Sequence, residues 1–153
     1  MVIILRGCSG SGKSTHAEAE MHGQYNVSRV SADNAFIQYN GEYKFDVTKL
    51  GEAHASCLRG FVDKLTKTNS APEDFTVVVD NTNTTGTEVA PYAALALAYG
   101  HELKIITIVV DPVVAHARNV HEVPLKTVKD QYKRLQNSIG KFPPWWPEVV
   151  IHG

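Results

Sequence analysis

The sequence predicts an α/β fold with a central parallel sheet, and three observations point to it. Short β-branched apolar runs alternate with segments of helical periodicity along the whole chain. Those runs are continuously apolar, as suits strands covered on both faces. The first of them passes directly into a glycine-rich turn followed by a helical pattern, a strand–loop–helix unit.

The strands are expected at Val2–Arg6, Val27–Ser31, Phe75–Asp80 and Leu103–Val110, with Val149–Ile151 as a short fifth. Helices are expected at Ser14–Met21, Thr48–Lys67, Thr87–Tyr99 and Pro124–Ile139. In the second of these, Leu50, Ala53, Cys57, Phe61 and Leu65 fall on one stripe. Gly100 follows the third as a helix-ending glycine, and Pro124 opens the fourth in a first-turn position. Pro143, Pro144 and Pro147 interrupt the tail.

A chain of 153 residues, 43% hydrophobic, suits one domain over 1–153 with an adequate core. The net charge of −1 argues against bulk attraction to a polyanion, so any nucleic-acid contact must use a local patch. Cys8 and Cys57 form neither a disulfide framework nor a zinc-ligand spacing. No apolar run approaches a membrane span, and Val2–Leu5 is too short for a secretory leader. These features suit a cytoplasmic, non-membrane protein.

The chemistry begins at Gly7-Cys8-Ser9-Gly10-Ser11-Gly12-Lys13-Ser14-Thr15, which matches the phosphate-binding pattern G-x-x-x-x-G-K-[ST]. Glycines allow positive φ and let backbone N–H groups approach phosphate oxygens. The following helix adds its positive end. Lys13 can reach the β- and γ-phosphates of ATP, and the Ser14 hydroxyl can ligate Mg²⁺. Cys8 and Ser11 occupy variable positions, although a thiol at Cys8 would lie near the nucleotide.

Ligands of open α/β sheets bind beyond the carboxyl ends of the strands, and three aspartates fall there. Asp80 ends an apolar strand, as does a carboxylate that holds Mg²⁺, often through water. Asn81, Thr82 and Asn83 continue it as a polar cluster beside the same site, candidate contacts for the acceptor. Asp33, after the second strand, is the candidate general base for an attacking hydroxyl. Each carboxylate has the alternative of a helix cap or turn, and Asp111-Pro112 is read as a turn into a helix.

Phosphoryl transfer also needs positive charge on the migrating group and shielding from water. A lid over about 112–124 would provide both through Arg118, whose alternative is a surface arginine at a helix end. Lys126, Lys129 and Lys133 share one helical face, either a solvated face or a strip that tracks phosphates. Trp145 and Trp146 either stack on a base or pack the tail onto the core.

Together, residues 7–15, Ser31-Ala32-Asp33, Asp80-Asn81-Thr82-Asn83 and Arg118-Asn119-Val120-His121-Glu122-Val123-Pro124 resemble the 5′-hydroxyl kinase domains of polynucleotide kinases. Gly41-Glu42-Tyr43-Lys44-Phe45-Asp46 and Glu52-Ala53-His54 resemble a wider group of small phage and bacterial P-loop domains. The resemblance implies a three-layer P-loop NTPase fold with sheet order 2-3-1-4, a fifth strand at Val149–Ile151 and a helical lid. It implies ATP and Mg²⁺, with Lys13, Asp33 and Arg118 catalytic, and a DNA or RNA 5′ end as acceptor. Phe36 stands where an arginine that grips the acceptor phosphate is expected, and a second lid arginine near Glu122 is missing. A small-molecule kinase and a nucleotide-binding or ATPase module remain alternatives.

Overall fold

In a computed structural model, which describes residues 1–23, 26–67 and 75–153, five strands form one parallel sheet in the order β2-β3-β1-β4-β5. They are β1 (Val2–Arg6), β2 (Val27–Val30), β3 (Thr76–Asp80), β4 (Leu103–Val109) and β5 (Glu148–His152). The expected order is found, and the fifth strand is longer than the Val149–Ile151 expected. Among the described residues five α-helices accompany the sheet: α1 (Lys13–Met21), α2 (Leu50–Lys67), α3 (Gly86–Ala98), α4 (Pro112–Arg118) and α5 (Leu125–Gln136).

Side chains alternate across each strand, and both faces are covered. Val2, Ile4, Val77, Val79 and Ile105 pack with Ala53, Cys57, Phe61 and Leu65 of α2 and with Val89, Tyr92, Ala93 and Ala96 of α3. Ile3, Leu5, Val78, Ile106 and Ile108 pack with Ala17 of α1, Ala115 of α4 and Val128 of α5. The result is the three-layer P-loop fold. The stripe expected on α2 holds from Ala53 onward, but Leu50 is exposed. It opens the helix directly after a 3₁₀ turn, Val47–Lys49, capped by Asp46.

Local chemistry sets the remaining boundaries. Asp111 caps α4 by accepting from the Val113 and Val114 N–H groups, and Pro112 begins the helix. Thr85 and Glu88 form a reciprocal capping box that starts α3. Trp146 packs on Phe142 with ring centroids 5.9 Å apart, so it joins the core margin, whereas Trp145 is exposed. Among the described residues no helix is long and apolar enough to cross a membrane.

One charged side chain lies inside this apolar frame. Arg6 ends β1 and is fully buried. Its Nε donates to the Asn83 carbonyl at 2.9 Å, and its Nη1 donates to Thr107 Oγ1 at 3.1 Å. Nη1 also pairs with Glu148 Oε1 at 2.5 Å, and Nη2 donates to Ser138 Oγ. The guanidinium stacks 4.6 Å from the Phe142 ring centroid. Burial lowers the Arg6 pKa, and Glu148 opposes that shift. The network ties β1, the β3–α3 turn, β4, β5 and the end of α5 together, immediately before the glycine-rich loop.

Glu148→Ala leaves the Arg6 charge buried without its counter-ion and should lower unfolding free energy by about 3–5 kcal/mol. Glu148→Gln, which keeps an acceptor, should lose less. Urea denaturation of the two variants checks this, and equal, small losses would contradict it.

Candidate functional site

The carboxyl ends of β1, β2 and β3 converge on one cavity of about 640 Å³. That volume lies within the range of small-ligand sites. The loop Gly7–Gly12 leaves β1 and enters α1 with Gly12 at its N-cap, φ 92° and no side-chain cap. The first N–H groups of a helix have no partner within it, so this end faces the cavity as a ready anion site. Gly10 has φ 80°, and a Cβ there would overlap the Ala115 carbonyl oxygen of α4. The loop and the segment after β4 are therefore in backbone contact.

Lys13 is buried and its Nζ donates to the Cys8 carbonyl at 2.6 Å, so the side chain folds back across its own loop. Burial lowers its pKa, while Asp80, Cys8 and Asp33 favour the charged form. Ser9, Gly10, Ser11, Ser14 and Thr15 line the cavity. Ser9 N–H donates to Gln131 Oε1 of α5 at 2.9 Å. Gly7 N–H donates to the Thr82 carbonyl at 2.9 Å, which fixes the start of the loop against the turn after β3. Cys8 points into the core, where burial pushes its thiol pKa up against the pull of Lys13.

Ser14 Oγ donates to Asp80 Oδ2 at 3.0 Å. These are hard oxygen donors at the edge of the phosphate loop. Mg²⁺ bound beside a phosphate chain takes one or two protein oxygens and completes its shell with phosphate and water, so the pair fits such an ion. No cluster of three metal-ligating side chains exists among the described residues. Arg29 of β2 also reaches this point: its Nη2 lies 2.6 Å from Asp80 Oδ2 and 3.3 Å from Ser14 Oγ.

Asp33 lines the same cavity from a 3₁₀ turn, Ala32–Phe36, after β2. Ser31 caps that turn by accepting from the Asp33 N–H at 3.3 Å, so the Asp33 carboxylate is not used as the cap. It accepts instead from Tyr43 OH at 3.4 Å. Arg118, at the last turn of α4, lines the same cavity and makes no ion pair among the described residues.

The polar cluster after β3 divides. Asn81 Oδ1 accepts from Ala32 N–H at 2.8 Å, and its Nδ2 donates to Tyr92 OH at 3.4 Å. Asn83, with φ 43°, donates to the Leu5 carbonyl at 2.8 Å. These two buried amides hold the turn to β1 and to the Asp33 segment. Asn81 and Thr82 line the cavity, whereas Asn83 does not. Phe36 is buried in the core against Tyr43 and Phe45, and Glu122 sits at φ 54° in the exposed loop after α4.

A family model described as an AAA domain, AAA_33, matches residues 2–137. The chain belongs to that family. It is 30% identical over 146 residues to NEDD4-binding protein 2 of Homo sapiens, with 92% of this chain aligned. It spans only 8% of that relative's length. It is 27% identical over 157 residues to the uncharacterized protein PM0531 of Pasteurella multocida strain Pm70, covering 95% of this chain and 84% of that one. A chain in the structure of the Pnkp1/Rnl/Hen1 RNA repair complex superposes with a TM-score of 0.69 at 18% identity. That match covers 93% of this chain and 46% of the other, and the likeness is one of fold. The family and the glycine-rich loop support a nucleotide-binding role.

Arg29 and Tyr43 are site residues that pattern reading missed. Arg29 had a signal: a charge inside a strand expected to be covered on both faces, beside one ending in Asp80. Tyr43 had none, because a short hairpin brings it back to Asp33. The loop–α4 contact predicts different costs for two glycines of the same backbone class. Gly12→Ala should cost about 1–2 kcal/mol for its left-handed backbone alone. Gly10→Ala should add an overlap of about 1–3 kcal/mol. Thermal melts of both variants check this, and equal losses would contradict the packing of α4 on the loop.

Proposed function

We propose that the protein is a Mg²⁺-dependent kinase that moves the γ-phosphoryl group of ATP to a hydroxyl, with a polynucleotide 5′-OH as the preferred acceptor. The observation that carries this reading is Asp33. Its carboxylate lines the cavity of the phosphate loop while Ser31 does the capping that would otherwise explain an aspartate there. A module that only binds nucleotide has no need of a second carboxylate positioned to take a proton.

In this mechanism the loop N–H groups and the end of α1 bind the phosphate chain. Lys13 leaves the Cys8 carbonyl for the transferring phosphate. Ser14 and Asp80 would hold Mg²⁺, Asp80 through water, in place of the contacts both make with Arg29. The ion would supply charge neutralisation on the phosphates. Asp33 accepts the proton of the acceptor hydroxyl, and the oxygen bonds to the γ-phosphorus. The bond to the β–γ bridging oxygen breaks, and its electron pair leaves on ADP. Arg118 covers the charge that develops on the transferring group.

The nucleic-acid acceptor is supported by the resemblance in sequence motifs and by the exposed Lys126, Lys129 and Lys133 on α5. One solved structure with a chain similar in fold is an RNA repair complex. A small-molecule acceptor is the second reading, and the burial of Phe36 favours it. With that side chain in the core, no arginine grips an acceptor phosphate from the turn of Asp33. Incubation with γ-labelled ATP and a panel of 5′-OH oligonucleotides, nucleosides and buffer alone separates these readings. Label in the oligonucleotide is expected. Label in nucleosides alone supports the second reading, and free phosphate alone overturns both.

Asp33→Asn keeps shape and hydrogen bonding but removes the base. It should hold ATP affinity within about threefold and lower transfer by about 100-fold or more. Calorimetry with ATP and the labelled assay check it; full transfer would rule out the base. Arg118→Ala should lower kcat more than it weakens ATP binding, because only stabilisation specific to the transition state raises kcat. A variant with unchanged kcat and raised KM would contradict that role.

A further inference from the structure

We infer that Tyr43 is a positioning residue that joins the acceptor-activating carboxylate Asp33 to the lid loop, so that the base is aimed when the lid is closed. The inference rests on the kinase reading above. A short hairpin brings Tyr43 to the site. After the turn bearing Asp33, Gln38 N–H donates to the Glu42 carbonyl at 2.7 Å, and Gly41 N–H to the Gln38 carbonyl at 2.8 Å. Gly41 takes φ 83°, the conformation this tight reversal needs. Lys44 N–H then donates to the Phe36 carbonyl at 2.8 Å, and Tyr43 pairs with Ile37. Ten residues after Asp33, the chain is back beside it.

From there the Tyr43 side chain touches three things. Its ring meets Phe36 edge-on at 6.1 Å, and Phe36 is anchored in the core. Its hydroxyl donates to Asp33 Oδ1 at 3.4 Å. Its ring also stacks on His121, with centroids 4.1 Å apart and planes inclined by 32°. His121 belongs to the loop between α4 and α5, lines the cavity, and is held by a bond from its N–H to Asn119 Oδ1 at 3.0 Å.

The chemistry follows from the two ends of one rigid ring. A donor on Oδ1 fixes the rotation of the carboxylate and leaves Oδ2 for the acceptor hydroxyl. Burial and the neighbouring Asp33 push the Tyr43 pKa up to about 12, so the hydroxyl keeps its proton as a donor. The stack on His121 holds the lid loop against the acceptor side. When that loop moves away the ring loses one face, and with it the restraint that aims the hydroxyl. Shielding of ATP and activation of the acceptor are then linked through a single side chain.

Three variants, assayed as full chains and confirmed folded by circular dichroism, test this. Tyr43→Phe keeps the stack and removes the donor. With a 5′-OH oligonucleotide, kcat should fall about 10-fold to 100-fold with unchanged KM for ATP. Its hydrogen exchange over residues 119–123 should match the wild type. Tyr43→Leu and His121→Leu should each speed that exchange about 3-fold to 10-fold, and the double variant should be no faster than either single. Wild-type kcat in Tyr43→Phe overturns the positioning of Asp33. Unchanged exchange in Tyr43→Leu, or additive effects in the double variant, overturns the link to the lid. A wild type that labels no oligonucleotide refutes the preceding reading instead, and the exchange cycle still decides whether Tyr43 and His121 form the link.

Discussion

The guanidinium of Arg6 is the constraint around which this molecule is arranged. It is fully buried at the end of the central strand, one residue before the glycine-rich loop. A charge in that position is tolerated only if it is paired and its donors are met. Glu148 from β5 supplies the pairing, and the Asn83 carbonyl, Thr107 and Ser138 supply acceptors. Each comes from a different part of the chain. Satisfying one side chain therefore fixes the β3–α3 turn, the edge strand and the end of α5 relative to the loop.

The loop inherits its rigidity from that arrangement. Thr82, in the turn that Arg6 holds, accepts from Gly7 N–H, and Gln131 on α5 accepts from Ser9 N–H. Gly10 meets the Ala115 carbonyl so closely that a side chain would overlap it. Thus the backbone that offers its N–H groups to the cavity is braced from three directions before any ligand arrives. Preorganised donors of this kind need little rearrangement at the moment of reaction. The charges around the cavity are arranged with comparable economy: Lys13 holds the Cys8 carbonyl, and Arg29 neutralises Asp80. Both cations are already present where phosphate and metal charge would enter.

The side of the cavity that carries Asp33 is built differently. Asp33 and Tyr43 stand on a 3₁₀ turn and a hairpin rather than on a helix or sheet, with Phe36 as their anchor in the core. An arginine at that position would carry a charge toward the acceptor; a phenylalanine instead fastens the turn to the sheet. The side chains then available above it are the aromatic Tyr43 and His121 and the carboxylate of Asp33. On the proposed reading, the turn of Asp33 would meet its acceptor through aromatic rings, and positive charge would have to come from elsewhere, such as the lysines of α5.

Local pattern by itself determined much of the fold. Apolar runs marked β1 and β3 clearly, as suits strands covered on both faces, whereas β2 carries Ser28 and Arg29 between its two valines. Helix stripes and caps placed the helices within a few residues, with Leu50 misassigned because a 3₁₀ turn displaces the start of α2. Gly7–Thr15 was legible because backbone geometry and phosphate chemistry restrict those positions together. The strand order came from resemblance, since periodicity says nothing about which strands are neighbours. Tertiary structure alone decided the rest. It turned Asn81 and Asn83 inward as struts, buried Phe36, and brought Arg29 onto Asp80 and Tyr43 between Asp33 and His121. Such contacts join residues on different elements, and no local spacing encodes them. They exist because the folded chain must satisfy its buried polar groups with whatever partners the packing brings near.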